Sequence, residues 1–315
     1  MLKMDKKNDF CVPEGKLRVI LDTDTYNEVD DQIALAYLLL SQERFDVEAV
    51  YAAPFYNNRA ESPGDGMEKS YQEILHIMRL MHDPREEMVF RGATSFLSSG
   101  LKPAPNPAVL DLVRRAKAED PRELFVIAIG APTNVATALE LYPEIRDRIT
   151  VIWLGGHGYW LEKPAIEFNM WSDVSASRAL LNSGVKLMII PAFGVTSHLL
   201  TTVADLETNL GGSGALCDFL IQRVKDFQIH RPSVDPKEKI VEMPIDPAWS
   251  KEIWDIGAVA YLIDQNWFRT KQISSPILTN EGDFAWDASR HSVFMATFLD
   301  RHRIYKDLYQ KLAGH

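Results

Sequence analysis

Short, strongly apolar segments recur along this 315-residue chain and alternate with segments in which apolar residues follow a helical period. Such runs are typical of strands that are buried on both faces, as in parallel sheets. The predicted strands are 17–22, 46–53, 87–91, 124–130, 149–154 and 185–190. The predicted helices are 31–43, 67–81, 106–118, 133–141, 173–183, 214–228, 253–263 and 303–312. The alternation predicts an α/β fold with a mostly parallel sheet and helices on both faces.

The number of domains follows from length and patterning. A chain of 315 residues can form one large α/β domain or two ordinary ones. No repeat, low-complexity tract or linker divides residues 1–200, and we predict a single domain over 1–315. Residues 229–252 are rich in proline and charge, and this segment is long for a connection without a role in a compact domain. We predict a lid or substrate-facing segment there, with a plain surface excursion as the alternative.

Composition excludes several classes of function. The formal net charge of −10, from 34 basic and 44 acidic residues, disfavours nucleic-acid binding. The two cysteines, Cys11 and Cys217, lack a metal-binding spacing, and reduced thiols are favoured over a single disulfide. Residues 1–16 lack the apolar core of a signal peptide, and the longest apolar runs, such as 124–129, are too short to span a bilayer. These features predict a cytoplasmic protein that binds neither nucleic acid nor a membrane.

An acidic cluster follows the first predicted strand, in the stretch VILDTDTYNEVDDQ at 19–32. Asp22 and Asp24 come at the end of the strand, and Asp30 and Asp31 at the start of the next helix. Like charges this close raise one another's pKa, so a helix terminus, water or a bound cation must offset the repulsion. An N-cap role explains one residue of the second pair but does not explain the first pair. Because ligands bind at the carboxyl ends of parallel strands, the cluster predicts a site for a hard cation such as Ca²⁺.

Two other enzyme classes carry an Asp-x-Asp sequence at the end of a strand. Phosphatases of the haloacid-dehalogenase type begin a sheet with this sequence and would require Mg²⁺, but Tyr26 breaks their pattern. Glycosyltransferases use the sequence to bind a metal-held nucleotide sugar, but they lack the trailing Asp-Asp at a helix start. A phosphatase therefore stays as a weaker alternative.

Four stretches together resemble the signatures of one enzyme family. DTDTYNEVDDQIAL is followed in order by AIGAPTNVATAL (128–139), GGHGYW…AIEFNMWSDVSASRALLNSG (155–184) and EIWDIGAVAYLID (252–264). They resemble the inosine–uridine-type nucleoside hydrolases over residues 17–264, whereas the tail, 270–315, matches only weakly. The resemblance implies a Rossmann-like α/β enzyme that uses Ca²⁺ to hydrolyse the N-glycosidic bond of a ribonucleoside, giving ribose and the free base. It also implies a homodimer or homotetramer.

The resemblance implies roles for individual residues. The implied ligands of Ca²⁺ are the carboxylates of Asp24, Asp31 and Asp255 and the backbone carbonyl of Ile129. Asp24 would also be the catalytic base that activates a calcium-held water. The implied substrate contacts are Asp30 and Asn169 to ribose hydroxyls, Glu167 to the 5′-hydroxyl side and Asn57 to another sugar edge, and Asp22 would support the metal ligands from behind. Asn58 is the alternative to Asn57, and Glu167 or Asn169 could instead hydrogen-bond their own backbone.

Two features depart from the family pattern. The loop Thr25–Val29 is longer than in the family, and Glu28 could add a metal ligand or a substrate contact. Trp254 stands where the family often has a histidine that protonates the leaving base, and an indole N–H is not acidic enough for that role. Either Trp254 stacks on a purine base that solvent or another group protonates, or the leaving group is not an ordinary nucleobase. We predict that Trp160 stacks on the base as well. The remaining candidates for a proton donor are His157, His198 and His230, of which His230 is the most interesting. The alternative function is a calcium-dependent ribose- or nucleoside-binding protein without turnover.

Overall fold

The computed structural model describes residues 10–100 and 102–315, and an eight-stranded sheet lies at its centre. We number these strands in chain order: β1 Leu17–Thr23, β2 Phe45–Ala52, β3 Val89–Arg91, β4 Leu124–Ala128, β5 Ile149–Leu154, β6 Lys186–Ile190, β7 Phe268–Ser274 and β8 Ser292–Leu299. Their order across the sheet is β7-β8-β6-β5-β4-β1-β2-β3. Neighbouring strands are parallel except for the antiparallel pair β7–β8. Residues 1–9, on which part of the signal-peptide prediction rests, lie outside the described residues.

Helices cover both faces of the sheet. The α-helices of the described residues are α1 Asp30–Leu40, α2 Pro63–Leu80, α3 Pro107–Ala116, α4 Thr133–Leu141, α5 Phe168–Ser172, α6 Val174–Asn182, α7 Val203–Leu210, α8 Ala215–Ile229, α9 Ile256–Ile263 and α10 Arg301–Ala313. Apolar residues of α1, α2 and α7 to α10 join one core, and those of α3, α4 and α6 join a second core on the opposite face. The predicted α/β fold, a mostly parallel sheet between two helical layers, is therefore confirmed.

Local chemistry explains where two of the helices begin. Ser62 Oγ accepts a hydrogen bond from the Asp65 N–H (3.1 Å), and Pro63 occupies the first turn of α2. Asn106 Oδ1 accepts one from the Val109 N–H (3.0 Å) at the start of α3. A polar N-cap followed by proline satisfies the free N–H groups and preorganises the first turn. Because of its cap, α2 begins four residues before its predicted start at 67.

The six predicted strands are all present, but the prediction omitted four of the strands and helices numbered above. The omitted elements are β7, β8, α5 and α7. β7 is an edge strand whose sequence, FRTKQIS, is polar and mostly exposed, so it lacks the apolar run of a central strand. The predicted helix 173–183 corresponds to α6, which Asp173 caps through a hydrogen bond from the Ala176 N–H. The short helix α5 that precedes it was not predicted.

The parallel sheet brings several loops to one edge. The loops that follow β1, β4, β5 and β6 leave neighbouring strands at their carboxyl ends. The residues just before α9 join them through a two-residue antiparallel pairing of Leu200–Thr201 with Lys251–Glu252. This edge is where an open α/β sheet binds ligands. Within the described parts of the chain, no helix combines the length and the apolarity that crossing a bilayer requires.

Candidate active site

Three buried carboxylates meet at the carboxyl edge of the sheet. Asp30 and Asp31 lie in the first turn of α1, and Asp255 lies immediately before α9. One carboxylate oxygen from each of the three lies within 4.8 Å of the others. Thr23 Oγ1 donates a hydrogen bond to Asp31 Oδ1 (2.5 Å), which fixes the orientation of that carboxylate. Carboxylate oxygens from two separate parts of the chain thus converge in the way that a metal site requires.

Asp24 lies beside these three carboxylates, and the described part of the chain gives it no compensating partner. Both of its carboxylate oxygens are buried without a hydrogen-bond donor among the described residues. Burial, followed by the charges of Asp31 and Asp30, raises its pKa well above the ordinary value. A buried carboxylate of this kind is costly unless a cation or a donor satisfies it. The all-oxygen donor set therefore fits a hard cation.

Burial is also the main influence on the other carboxylates. It raises the pKa of Asp31 to about 7 and that of Asp30 to about 6, the latter against the opposing charge of Lys251. It raises the pKa of Asp255 well above the ordinary value, and Asp30, Asp31 and Asp24 contribute to that increase. The cluster therefore stores electrostatic repulsion that a bound cation would relieve.

Neither Asp30 nor Asp31 is the N-cap residue of α1. Val29 precedes the helix, and among the described residues no side chain caps its N-terminus. Asp30 and Asp31 lie one position further in, inside the first turn. The positive end of the helix dipole still favours negative charge at both positions, which helps to hold the acidic cluster together.

Glu167 and Asn169 are anchored to the backbone around the cleft. Glu167 caps α5 and accepts hydrogen bonds from the N–H groups of Gly156 (2.8 Å), Asn169 (2.9 Å) and Met170 (3.0 Å). Asn169 Nδ2 donates to the carbonyl oxygens of Ile129 (3.1 Å) and Leu154 (3.0 Å). Burial raises the pKa of Glu167 to about 7 despite the three N–H donors. The alternative of local backbone hydrogen bonding thus describes Glu167, although both side chains also line the cleft.

One cleft brings together most of the predicted site residues. The predicted residues in its lining are Asp24, Glu28, Asp30, Asp31, Ile129, Glu167, Asn169, Trp254 and Asp255, together with His157 from the three spare histidines. Five predicted residues are absent from the lining as far as the described residues show: Asp22, Asn57, Trp160, His198 and His230. Most of the predicted residues thus lie around one cleft, and the chemical role of each of them stays a prediction.

Asp22, Asn57 and Trp160, outside the lining, have other contacts. Asp22 is buried behind the cluster and accepts a hydrogen bond from Asn134 Nδ2 (2.8 Å). Asn57 is buried too, and its Nδ2 donates to Oδ1 of the lining residue Asn27 (2.7 Å). Trp160 is 45% exposed and packs edge-to-face on Tyr159.

Two of the spare histidines are engaged elsewhere. His230 lies on a two-residue strand, where its Nε2 is 3.6 Å from a carboxylate oxygen of Glu242. His198 Nδ1 is 2.9 Å from the carbonyl oxygen of Val195. Of the three, the cleft lining therefore contains His157 rather than the predicted first choice.

Sequence reasoning missed several residues of the site. The lining also contains Asn27, Leu154, Phe168, Ala192 and Phe193. Phe193 follows the carboxyl end of β6, and that position was a usable signal. Lys251 Nζ lies 2.7 Å from Glu28 Oε2 and is almost fully buried. Burial alone would lower the pKa of Lys251, but the charges of Glu28 and Asp30 outweigh it and raise that pKa.

The 229–252 segment contacts the loops around the cleft without lining it. The Ser233 N–H donates to Asn58 Oδ1 (3.0 Å), and the Asn58 N–H donates to the Ser233 carbonyl (3.2 Å). At its other end, Lys251 reaches Glu28. Among the described residues that line the cleft, none comes from this segment.

The mostly parallel sheet, with an acidic cleft at its carboxyl edge, defines an α/β protein with a candidate metal site. Comparison with known proteins then identifies the family. The chain matches the inosine-uridine preferring nucleoside hydrolase family over residues 19–306. It therefore belongs to that family, which confirms the resemblance seen in the sequence motifs.

Curated relatives and solved structures agree with the family. A probable ribonucleoside hydrolase of Dictyostelium discoideum is 28% identical over 165 residues, which is 50% of this chain and 45% of that protein. A pyrimidine-specific ribonucleoside hydrolase, RihA, of Salmonella arizonae is 26% identical over 217 residues, which is 61% of this chain and 65% of that protein. The chain thus spans about half to two thirds of the length of these relatives.

The fold is shared with solved nucleoside hydrolases. A plant nucleoside hydrolase, PpNRh1, superposes with a TM-score of 0.73 and 22% identity, covering 95% of this chain and 99% of that one. A purine-preferring ribonucleoside hydrolase of Gardnerella vaginalis gives a TM-score of 0.68 and 22% identity, covering 94% and 98%. At this level of identity the likeness concerns the fold alone.

Proposed function

We propose that this protein hydrolyses the N-glycosidic bond of a ribonucleoside, giving ribose and a free base, with Ca²⁺ at the acidic cluster. The observation that carries the proposal is the buried, unpartnered carboxylate of Asp24 beside Asp30, Asp31 and Asp255. Family membership supports the reaction class. The all-oxygen surroundings support calcium over softer metals.

Each residue has a distinct task in this proposal. Bound Ca²⁺ would supply a site for the ribose hydroxyls and a moderate lowering of the pKa of the attacking water. Asp24 takes the proton of that water as it attacks C1′ of the sugar. Asp30 and Asn169 hold ribose hydroxyls, and Glu167 holds the 5′-hydroxyl side. As the C1′–N bond breaks, its electron pair stays on the base and positive charge builds on the sugar, which the surrounding carboxylates stabilise.

The proton for the departing base comes from water in this proposal. Trp254 offers an indole N–H, which cannot act as an acid. His157 lines the cleft, but burial lowers its pKa, so its imidazole is largely neutral near pH 7. The base therefore leaves with its electron pair and is protonated by solvent.

We extend the proposal to a single catalytic domain whose 229–252 segment faces the substrate side.

A nucleoside panel tests the proposal directly. The protein is incubated with Ca²⁺ and purine or pyrimidine ribonucleosides, and the reducing sugar released is measured. We expect ribose release that is lost with a chelator and reduced on the order of 100- to 10,000-fold in Asp24→Asn. Asp147→Asn, at an exposed position, is the matched control and should keep the wild-type rate. Full activity in Asp24→Asn, or in metal-stripped protein, would refute the role of the cluster.

A binding protein without turnover is the second candidate. The observation that favours it is Trp254 in the cleft lining. The family often has a histidine at this position that protonates the leaving base, and an indole N–H is not acidic enough to do so. Calcium-dependent binding of a nucleoside without ribose release would support this candidate. Release of phosphate from a phosphorylated substrate with Mg²⁺ would support the phosphatase alternative instead.

A further inference from the structure

Three rings form one wall of the cleft. Phe193 contacts His157 edge-to-face, with ring centroids 4.9 Å apart, and contacts Trp254 in the same manner at 5.3 Å. All three residues line the cleft that holds the carboxylate cluster. The planes of Phe193 and Trp254 meet at 72°, so the two rings form an aromatic corner rather than a stack. Trp254 directly precedes Asp255, which places this corner next to the acidic end of the cleft.

The side chain of Phe193 is exposed rather than buried in the core. Its side chain is 49% exposed, although it belongs to a loop that follows a fully buried strand end at Ile190. An apolar ring left in contact with water gains free energy when a ligand covers it. The core therefore does not explain the position of this ring, whereas a planar ligand in the cleft does.

The loop holds Phe193 in place through its backbone. The Phe193 N–H donates to His157 Nδ1 (3.3 Å), and its carbonyl accepts from the Gly158 N–H (2.9 Å). Gly194 follows at φ +90°, and a Cβ atom there would lie 3.0 Å from the Trp160 ring. Burial lowers the pKa of His157, which keeps its Nδ1 free to accept this hydrogen bond. These two hydrogen bonds fix the backbone that carries the ring, and the contacts with His157 and Trp254 restrain the ring itself. Little conformational entropy is therefore lost on binding.

We propose that Phe193 determines substrate specificity by forming, with Trp254, the surface that receives the leaving base, and that this surface selects purine over pyrimidine ribonucleosides. The inference rests on the proposed function. Contacts with ring faces and edges discriminate mainly by area, and a bicyclic base covers more of the corner than a monocyclic one does. In this wall, the side-chain donors or acceptors are Trp254 Nε1 and the His157 ring. The wall therefore discriminates only weakly between bases that differ in their exocyclic groups.

Steady-state kinetics with matched variants test the inference. Values of kcat and KM are measured for adenosine, inosine, cytidine and uridine with wild type, Phe193→Ala and Phe193→Tyr. Phe298→Ala is the control, because Phe298 is a similarly exposed ring (47%) on β8, outside the cleft lining. We expect wild type to prefer purines, and Phe193→Ala to raise KM for purine nucleosides roughly tenfold, equivalent to ~1.4 kcal/mol. Its KM for pyrimidine nucleosides and its kcat should change much less, and Phe193→Tyr should retain the purine preference.

Several results would overturn the inference while leaving the proposed function intact. They are a wild-type preference for pyrimidines, an equal effect of Phe193→Ala on both classes, or an equal effect of Phe298→Ala. If no nucleoside is hydrolysed, the proposed function fails and calorimetric binding decides the inference separately. Calcium-dependent binding of adenosine over cytidine that Phe193→Ala abolishes would then support it. Equal binding of the two nucleosides, or no binding of either, would reject it.

Discussion

Asp24 packs against a glycine. A Cβ atom at Gly130 would lie 3.1 Å from Asp24 Cγ and 3.2 Å from its Oδ1, with Ala53 Cβ at 3.3 Å on the other side. Gly130 directly follows Ile129, whose carbonyl is a proposed ligand. The missing side chain therefore leaves the room in which the proposed catalytic base sits. These contacts are close enough that an added methyl group would displace its neighbours by a few tenths of an ångström.

Substituting Gly130→Ala should therefore displace the carboxylate of Asp24. We expect kcat/KM for ribose release to fall roughly 10- to 100-fold, because small misplacements of a reacting group are costly. Overpacking should lower the free energy of unfolding by about 1–3 kcal/mol. Activity assays and urea denaturation measure the two effects. In an Asp24→Ala background the added methyl should cost clearly less stability, and an equal cost there would show that Asp24 is not the group displaced.

At the scale of elements, one ion pair connects the long loop between β1 and α1 to the end of the 229–252 segment. Lys251 Nζ lies 2.7 Å from Glu28 Oε2, with 5% of the lysine side chain and 34% of the glutamate side chain exposed. Lys251 Nζ also donates to the carbonyl oxygen of Glu252 (2.7 Å) and lies 5.6 Å from the centre of the Trp254 ring. The added length of the loop thus gives Glu28 a partner far along the chain.

Removing the cation of this pair should loosen both elements. We expect Lys251→Met to lower the free energy of unfolding by about 1–3 kcal/mol, less than for a fully buried pair because Glu28 is a third exposed. Adding Glu28→Gln should recover part of the loss, since it removes the unpaired charge. Urea denaturation of the two single variants and the double variant measures the coupling. Strictly additive losses would mean that the two side chains do not stabilise each other.

The sequence predicted those elements whose pattern is local. Asp24, Asp30 and Asp31 lie within one strand–loop–helix unit, so their convergence follows from the fold class alone. β8, with the run SVFMATFL, carried an apolar signal that the sequence analysis passed over, whereas the polar edge strand β7 carried none. Lys251 was not predictable, because a lysine is expected in water and its burial depends on Glu28, distant in sequence. Trp160 follows the right strand, yet its turn directs the ring outside the cleft lining.

At the scale of the whole molecule, the sheet concentrates charge that folding must accommodate. The neighbouring strands β6, β5, β4 and β1 direct their following loops to one edge, and α1 and α9 add their N-terminal ends there. The result is a cleft lined by six carboxylates: Asp24, Glu28, Asp30, Asp31, Glu167 and Asp255. The same arrangement that builds the site therefore reduces stability unless the charges are neutralised by protons or by a cation.

This balance predicts how calcium stabilisation depends on pH. Burial raises the pKa of Asp31 and Glu167 to about 7 from ordinary values of 3.8 and 4.5. Between those values the folded protein holds more protons than the unfolded chain, so the unfolding free energy of metal-stripped protein falls as pH rises from about 4.5 to about 7. The proposed Ca²⁺ would bind the ionised carboxylates, so its stabilising effect should grow over the same range. We expect thermal unfolding to show a fall in Tm with pH for stripped protein and a larger calcium-induced increase in Tm at pH ~7.5 than at pH ~5. A calcium-induced increase of the same size at both pH values would contradict this account, and Asp31→Asn should reduce the increase at the higher pH.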